Sequence, residues 1–145
     1  DVFKEKPEWE AAIPKAGFAH RPVDMEEWAR KGKELKQRLW GAEAGTVDAT
    51  AQSLAPDFME LADAYLFGGV YQRPGLDVKQ RMYCVIAALT ALGNEPQLRR
   101  YIKAALRVGV TRQEVVEVLT HTAAYGGLPA ALNALGVAKA VVDAA

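Results

Sequence analysis

Histidine and cysteine are almost missing from this sequence: two histidines and one cysteine stand among 145 residues. The single thiol, Cys84, cannot form an intrachain disulfide, a Cys-x-x-Cys redox pair or a thiolate zinc cluster. It fits a reducing, cytoplasmic compartment. An excess of charge is also lacking, with 18 basic and 18 acidic side chains. A net charge of zero argues against a nucleic-acid binder, and there is no polybasic tract for an anionic membrane surface. The longest nearly apolar run, residues 82–93, falls short of the roughly 20 residues a membrane span needs. HExxH, G-x-S-x-G and the Rossmann glycine fingerprint do not occur, so neither a nucleotide cofactor nor a metal is expected. The chain opens on Asp1 rather than Met, so the lack of a leader within it says little about targeting.

What remains is ordinary globular composition, half apolar and a quarter charged, at the usual size of one domain. Residues 1–145 are read as a single domain with an N-terminal arm over residues 1–22. The arm holds Pro7, Pro14 and Pro22, which interrupt long helices, and Phe3, Trp9, Ile13 and Phe18, which need burial on this chain or a neighbour. At most one short helix, near residues 8–12, is expected there.

Beyond the arm, helix signals follow one another. Asp24 can N-cap a helix to about Trp40, stopped by Gly41, with Met25, Trp28, Leu35 and Leu39 on one face. Residues 41–53 read as a small, polar connector. Pro56 opens a helix carrying Phe58, Leu61, Tyr65 and Leu66 at helical spacing and ending at Gly68-Gly69. Asp77 can cap a helix over residues 78–92, apolar on most sides and so expected to be central. Pro96 opens the next helix. Thr111-x-x-Glu114 is a capping box for a helix turning Val115, Val118, Leu119 and Thr122 inward. Pro129 starts the last helix, with Leu132, Leu135 and Val142 as anchors. No segment shows sustained two-residue alternation, so the expectation is an all-α, compact multi-helix domain. Near-zero charge favours self-association.

The residues from Leu54 onward carry a resemblance. Leu54-Ala55-Pro56-Asp57-Phe58, Arg73-Pro74-Gly75-Leu76-Asp77, Arg81 with Ile86-Ala87-Ala88-Leu89, and Tyr125-Gly126-Gly127-Leu128-Pro129-Ala130-Ala131 appear in an order and spacing similar to the carboxymuconolactone decarboxylase family. That family belongs with the alkylhydroperoxidase D-like proteins. The resemblance implies an all-helical, ring-like homo-oligomer, trimer or hexamer, and cofactor-free decarboxylation of a carboxylated lactone. Three departures stand out. Met82 follows Arg81 where relatives often carry Glu, Tyr101 stands where relatives commonly carry His, and Cys84 lacks the second thiol of the peroxidase branch. A peroxidase cycle needs both thiols, so peroxidase activity is disfavoured.

The candidate catalytic residues are His121, Tyr101, Tyr125 and Glu117. Glu117 lies four residues before His121 on one helix, where a carboxylate can orient an imidazole as general acid or base; the plain alternative is a surface pair. Tyr101 and Tyr125 can donate hydrogen bonds to a developing oxyanion, or can simply pack their rings. Arg81 can hold a substrate carboxylate, or pair with Asp77. Cys84, Tyr83 and Met82 complete the expected substrate contacts, although a lone cysteine on an apolar helix is more often a core residue. The expected function is a cofactor-independent lyase on a small cyclic carboxylated substrate. A repurposed isomerase, hydratase or cyclase, and a non-catalytic oligomeric binding protein, are the alternatives.

Overall fold

In the computed structural model, residues 22–144 are described. The expected arm, with its short helix, Trp9 and His20, lies outside the described residues except for Pro22. Among the described residues there are seven α-helices and no strand: α1 Met25–Trp40, α2 Ala49–Leu54, α3 Pro56–Asp63, α4 Val78–Ala91, α5 Glu95–Arg107, α6 Arg112–Gly126 and α7 Leu128–Val142. None is long and apolar enough to cross a membrane.

The helix starts follow local chemistry. Asp24 accepts the Glu27 amide at 3.0 Å and caps α1. Asp77 and Gln80 form a reciprocal box at the head of α4. Thr111 and Glu114 do the same for α6. Asn94 caps α5 one residue earlier than the Pro96 signal implies. Each device satisfies amides that the first turn leaves orphaned. Gly41 ends α1 at φ 56°, in the left-handed region where a side chain is strained.

The core gathers Leu39 from α1, Met82 and Ile86 from α4, Leu98 and Ile102 from α5, and Val115 and Leu119 from α6, all at most 1% exposed. Each such side chain contributes about 1.5–3 kcal/mol of burial. Lys79 and Tyr83 meet Glu114 at one end of α4 and α6, while Ala91 meets Gly126 at the other. These two helices therefore run parallel. α7 turns back from α6 through Gly127, at φ 93°.

Five expectations need correction. Residues 41–53 are not mere connector: a 3-10 turn over Gly41–Glu43 is followed by α2. No residue of α2 is buried, so no apolar stripe announced it. Gly68-Gly69 is not a stop. After α3 the chain continues as a π-helical segment, Ala64–Gly69, and a 3-10 turn, Val70–Gln72. The glycines are there because α1 lies on them: a Cβ on Gly68 would collide with the Trp28 carbonyl and sit 2.7 Å from its Cα, and one on Gly69 would meet the Trp28 ring. The buried face of this region is Met59, Ala64, Phe67 and Tyr71, leaving Phe58, Leu61 and Tyr65 exposed. In α7 the inward residues are Ala131, Ala134, Val137, Ala138 and Val141, not Leu132. Finally, α4 is buried on one side only. Cys84, Ala88 and Ala91 form an open stripe that leads to Leu92, 77% exposed.

Candidate active site

The predicted site residues fall into three groups. The first is at the end of α6. His121 and Tyr125, one turn apart, bring their rings to 5.2 Å. Both are exposed, Tyr125 at 82%, and so are Leu128 and Leu132 of the following helix. Glu117 does not hold His121. Its carboxylate accepts a hydrogen bond from Gln113 Nε2 at 2.7 Å, and no hydrogen bond joins it to the imidazole among the described residues. The side chain that meets His121 is therefore Tyr125 and not Glu117.

The second group surrounds Arg81. Its Nη2 donates to the Arg73 carbonyl at 2.8 Å and its Nε to the Leu76 carbonyl at 3.2 Å. The guanidinium thus clamps the Arg73-Pro74-Gly75-Leu76 turn. Asp77, the expected partner, is occupied with its cap. The guanidinium carbon sits 5.7 Å from the centre of the Tyr71 ring. Tyr71 is buried, and burial pushes its phenol up to about 12; the nearby Arg81 charge works against this, and Cys84 adds to it. Cys84 is exposed. Met82, expected among the substrate contacts, is fully enclosed in the core. Tyr71 was not anticipated from the sequence. Its signal was a lone aromatic two residues before the Arg73-Pro74-Gly75 turn.

The third group is polar and lies at the head of α4. Tyr83 donates to Glu114 Oε1 at 2.7 Å, and Lys79 pairs with the same oxygen at 2.8 Å. Glu114 Oε2 accepts the Thr111 amide. Lys79, then the Thr111 amide and the Tyr83 hydroxyl, hold the Glu114 carboxyl down at about 2. Tyr83 is pushed above the usual phenol range, first by burial and then by Glu114. This carboxylate serves as structural glue, since all its partners are intramolecular.

Tyr101 stands apart from His121 and Tyr125. It is half-buried, edge-on to Trp40 at 5.6 Å, with Phe67 on another side of Trp40 at 5.4 Å. Burial, followed by Tyr71 and the carboxylates Asp48 and Asp63, raises its pKa well above the usual phenol range. Its proton is therefore held tightly, which suits hydrogen-bond donation and not proton release. No hydrogen bond or ring contact joins it to His121 or Tyr125 among the described residues. Nearby, Lys36 is nearly buried between Asp63 at 2.7 Å and Asp48 at 3.5 Å, and Arg100 reaches Asp48 at 3.1 Å. No cluster of three or more His, Cys, Asp or Glu with metal-binding geometry occurs among the described residues.

Comparison with known proteins bears on the region that holds all these groups. The chain is 39% identical over 85 residues to 4-carboxymuconolactone decarboxylase of Acinetobacter baylyi, covering 59% of this chain and 63% of that protein. It is 42% identical over 77 residues to an uncharacterised 15.0 kDa protein of the nqo9–nqo10 intergenic region of Paracoccus denitrificans, covering 52% and 58%. It is 32% identical over 84 residues to nitrosuccinic acid decarboxylase of Metarhizium robertsii, covering 58% and 59%. The matches thus span about three-fifths of the length of these curated relatives. Residues 56–140 match the family model for the carboxymuconolactone decarboxylase family, from the start of α3 to near the end of α7. With its all-helical architecture, the chain belongs to the carboxymuconolactone decarboxylase family.

Proposed function

We propose that this protein is a cofactor-independent carboxy-lyase acting on a small cyclic carboxylated substrate, of the carboxylated-lactone type. The observation that supports this most is the His121–Tyr125 ring pair, set at the end of α6 inside the family-matched region. Two of the relatives are named as decarboxylases.

The chemistry asks little of the protein. The bond between the carboxylate carbon and the ring breaks, CO2 leaves, and the electron pair flows into the lactone carbonyl as a dienolate. A donor must meet the developing oxyanion, and an acid must return a proton to carbon. Tyr125 is the proposed donor and His121 the proposed acid, with solvent restoring its proton. Arg81 is the proposed carboxylate holder: Nε and Nη2 engage backbone carbonyls, and Nη1 makes no hydrogen bond among the described residues. Tyr101, with its proton held, enters as a second hydrogen-bond donor, and Tyr83 and Cys84 flank the substrate from α4.

One chain alone leaves His121 and Tyr125 in solvent, whereas the proposed chemistry needs water excluded. Leu92, at the end of α4, and Leu128 and Leu132, on α7, are exposed as well. A second copy packed on this face closes the site, so a homo-oligomer, trimer or hexamer, is part of the proposal. The test offers carboxylated lactones to the protein and follows CO2 release. His121→Ala and Tyr101→Phe are each expected to lower turnover at least tenfold; unchanged rates in both would refute the site assignment. A product of unchanged mass would replace the lyase with an isomerase, and tight binding with no product would leave a binding protein.

A further inference from the structure

Tyr71 is a buried phenol to which the chemistry above gives no task. Its ring packs on Phe67, with centroids 5.6 Å apart, and the Arg81 guanidinium carbon lies 5.7 Å from its centre. The residue is 9% exposed, yet its hydroxyl makes no hydrogen bond among the described residues. Only Trp40 Nε1 is both sealed from water and unpaired there. The Tyr71 hydroxyl, also unpaired, is therefore open to an incoming group, and a phenol so enclosed ordinarily has a partner.

The surroundings favour one kind of partner. Arg81 pairs with no carboxylate among the described residues: two of its nitrogens hold the carbonyls of Arg73 and Leu76, and Asp77 is committed to its cap. Burial outweighs the pull of the Arg81 charge and keeps the Tyr71 phenol at about 12, so it stays a donor across the neutral range. Arg81 and Cys84 both act on Tyr71, and Tyr71 acts on Tyr101, whose hydroxyl is likewise unpaired among the described residues. The carboxylates that act on Tyr101, Asp48 and Asp63, are already matched by Lys36 and Arg100. One unmatched cation and two protonated phenols thus share this region, a donor set that suits an anion. On the reading above, in which Arg81 holds the substrate carboxylate, we propose that Tyr71 is a second substrate-binding residue. Its hydroxyl donates to the carboxylate that Arg81 Nη1 engages, and the pair selects an acid over its neutral ester.

The experiment titrates the full chain, by calorimetry, with γ-butyrolactone-γ-carboxylate and with its methyl ester. Tyr71→Phe keeps the ring and its contacts and removes only the hydroxyl. The wild-type protein is expected to prefer the acid, and Tyr71→Phe to lower acid affinity about tenfold while leaving ester affinity within twofold. Saturating acid should also slow alkylation of the exposed Cys84 by iodoacetamide at least threefold, which locates the bound molecule beside α4. Equal losses for acid and ester would reveal a packing role alone and overturn the proposal. So would unchanged acid affinity in Tyr71→Phe, a wild-type protein that binds acid no better than ester, or Cys84 left unprotected. Turnover separates this proposal from the lyase reading. CO2 release by Tyr71→Phe at wild-type KM would overturn the proposal and leave the lyase reading intact. A raised KM with kcat within threefold would support both, since the lost contact is then one of binding. A Tyr71-dependent preference for the acid, in a protein that releases no CO2, would sustain the proposal and remove the lyase reading.

Discussion

Gly68→Ala tests the close approach on which the first half of the fold depends. The added Cβ would strike the Trp28 carbonyl and lie 2.7 Å from the Trp28 Cα, about 1 Å inside ordinary contact. Both obstacles are backbone, so no side-chain rotation relieves them. Gly32 allows no slack either, because a Cβ there would already be 2.9 Å from the Asp63 carbonyl oxygen; the helices cannot come together more closely elsewhere along the contact. α1 must therefore move away from the π-helical segment by about 1 Å. A gap of that size forfeits a quarter to a half of each contact's about 0.1–0.2 kcal/mol, which over roughly 40 contacts comes to about 1–4 kcal/mol. Overpacking elsewhere costs a similar amount, so a loss of roughly 1–4 kcal/mol is expected, a large share of a typical domain's stability. The control is Gly136→Ala in α7, where a Cβ meets nothing within 4 Å. There the expected change is a gain of about 0.5–1 kcal/mol from helix propensity. Guanidinium unfolding followed by circular dichroism, at one fixed protein concentration, measures both. Two variants within 0.5 kcal/mol of each other would refute the claim that backbone contact, and not propensity, selects glycine at position 68.

Three further outcomes are expected. Glu114→Gln should destabilise the protein near neutral pH. Because the folded carboxyl is held at about 2, below its ordinary 4.5, that contribution is present above pH 4.5 and fades as pH falls towards 2; stability curves of the two proteins should converge there, and a gap that persists at pH 2 would contradict the assignment. Lys36→Met removes the cation between Asp63 and Asp48, and, with those carboxylates only partly exposed, should cost about 1–3 kcal/mol, part of it recovered by Asp63→Asn in the same chain; urea unfolding reads both. Leu132→Glu places a charge on the exposed side of α7, and should weaken self-association at least tenfold by sedimentation; an unchanged assembly would move the proposed interface elsewhere.

The helix starts were legible in the sequence because capping is local: Asp24, Asp77 and Thr111 act within three residues of themselves. The faces were less so. Along α3 two apolar stripes compete, Phe58-Leu61-Tyr65 and Met59-Ala64-Phe67, and size favoured the wrong one. The π-helical turn then advances the register by a residue, which no propensity signals. In α7 the buried residues are mostly alanines, whose value lies in closeness and not in bulk. Individual site candidates could be named because titratable groups are few, and His121 with Tyr125 did come together. That Tyr101 would lie apart from them, against Trp40, could not be read, since it depends on which sides of α5 and α6 face the same space. Glu117 illustrates the same limit: helical spacing placed it beside His121, yet Gln113 is equally well spaced and takes its carboxylate.

The wide turn at Ala64–Gly69 has a consequence beyond packing. A loop of helix with one residue too many works as a phase shifter. Everything upstream is indexed to α1, and everything downstream, beginning with Tyr71 beneath the Arg81 guanidinium, is rotated to a second setting. Lengthening or shortening that single turn would swing the aromatic ring around the axis, and would also lift Gly68 and Gly69 off Trp28. The ring beneath Arg81 is thus phased by the same turn that seats α1, so the surroundings of that guanidinium are tied to the core and cannot be reset alone.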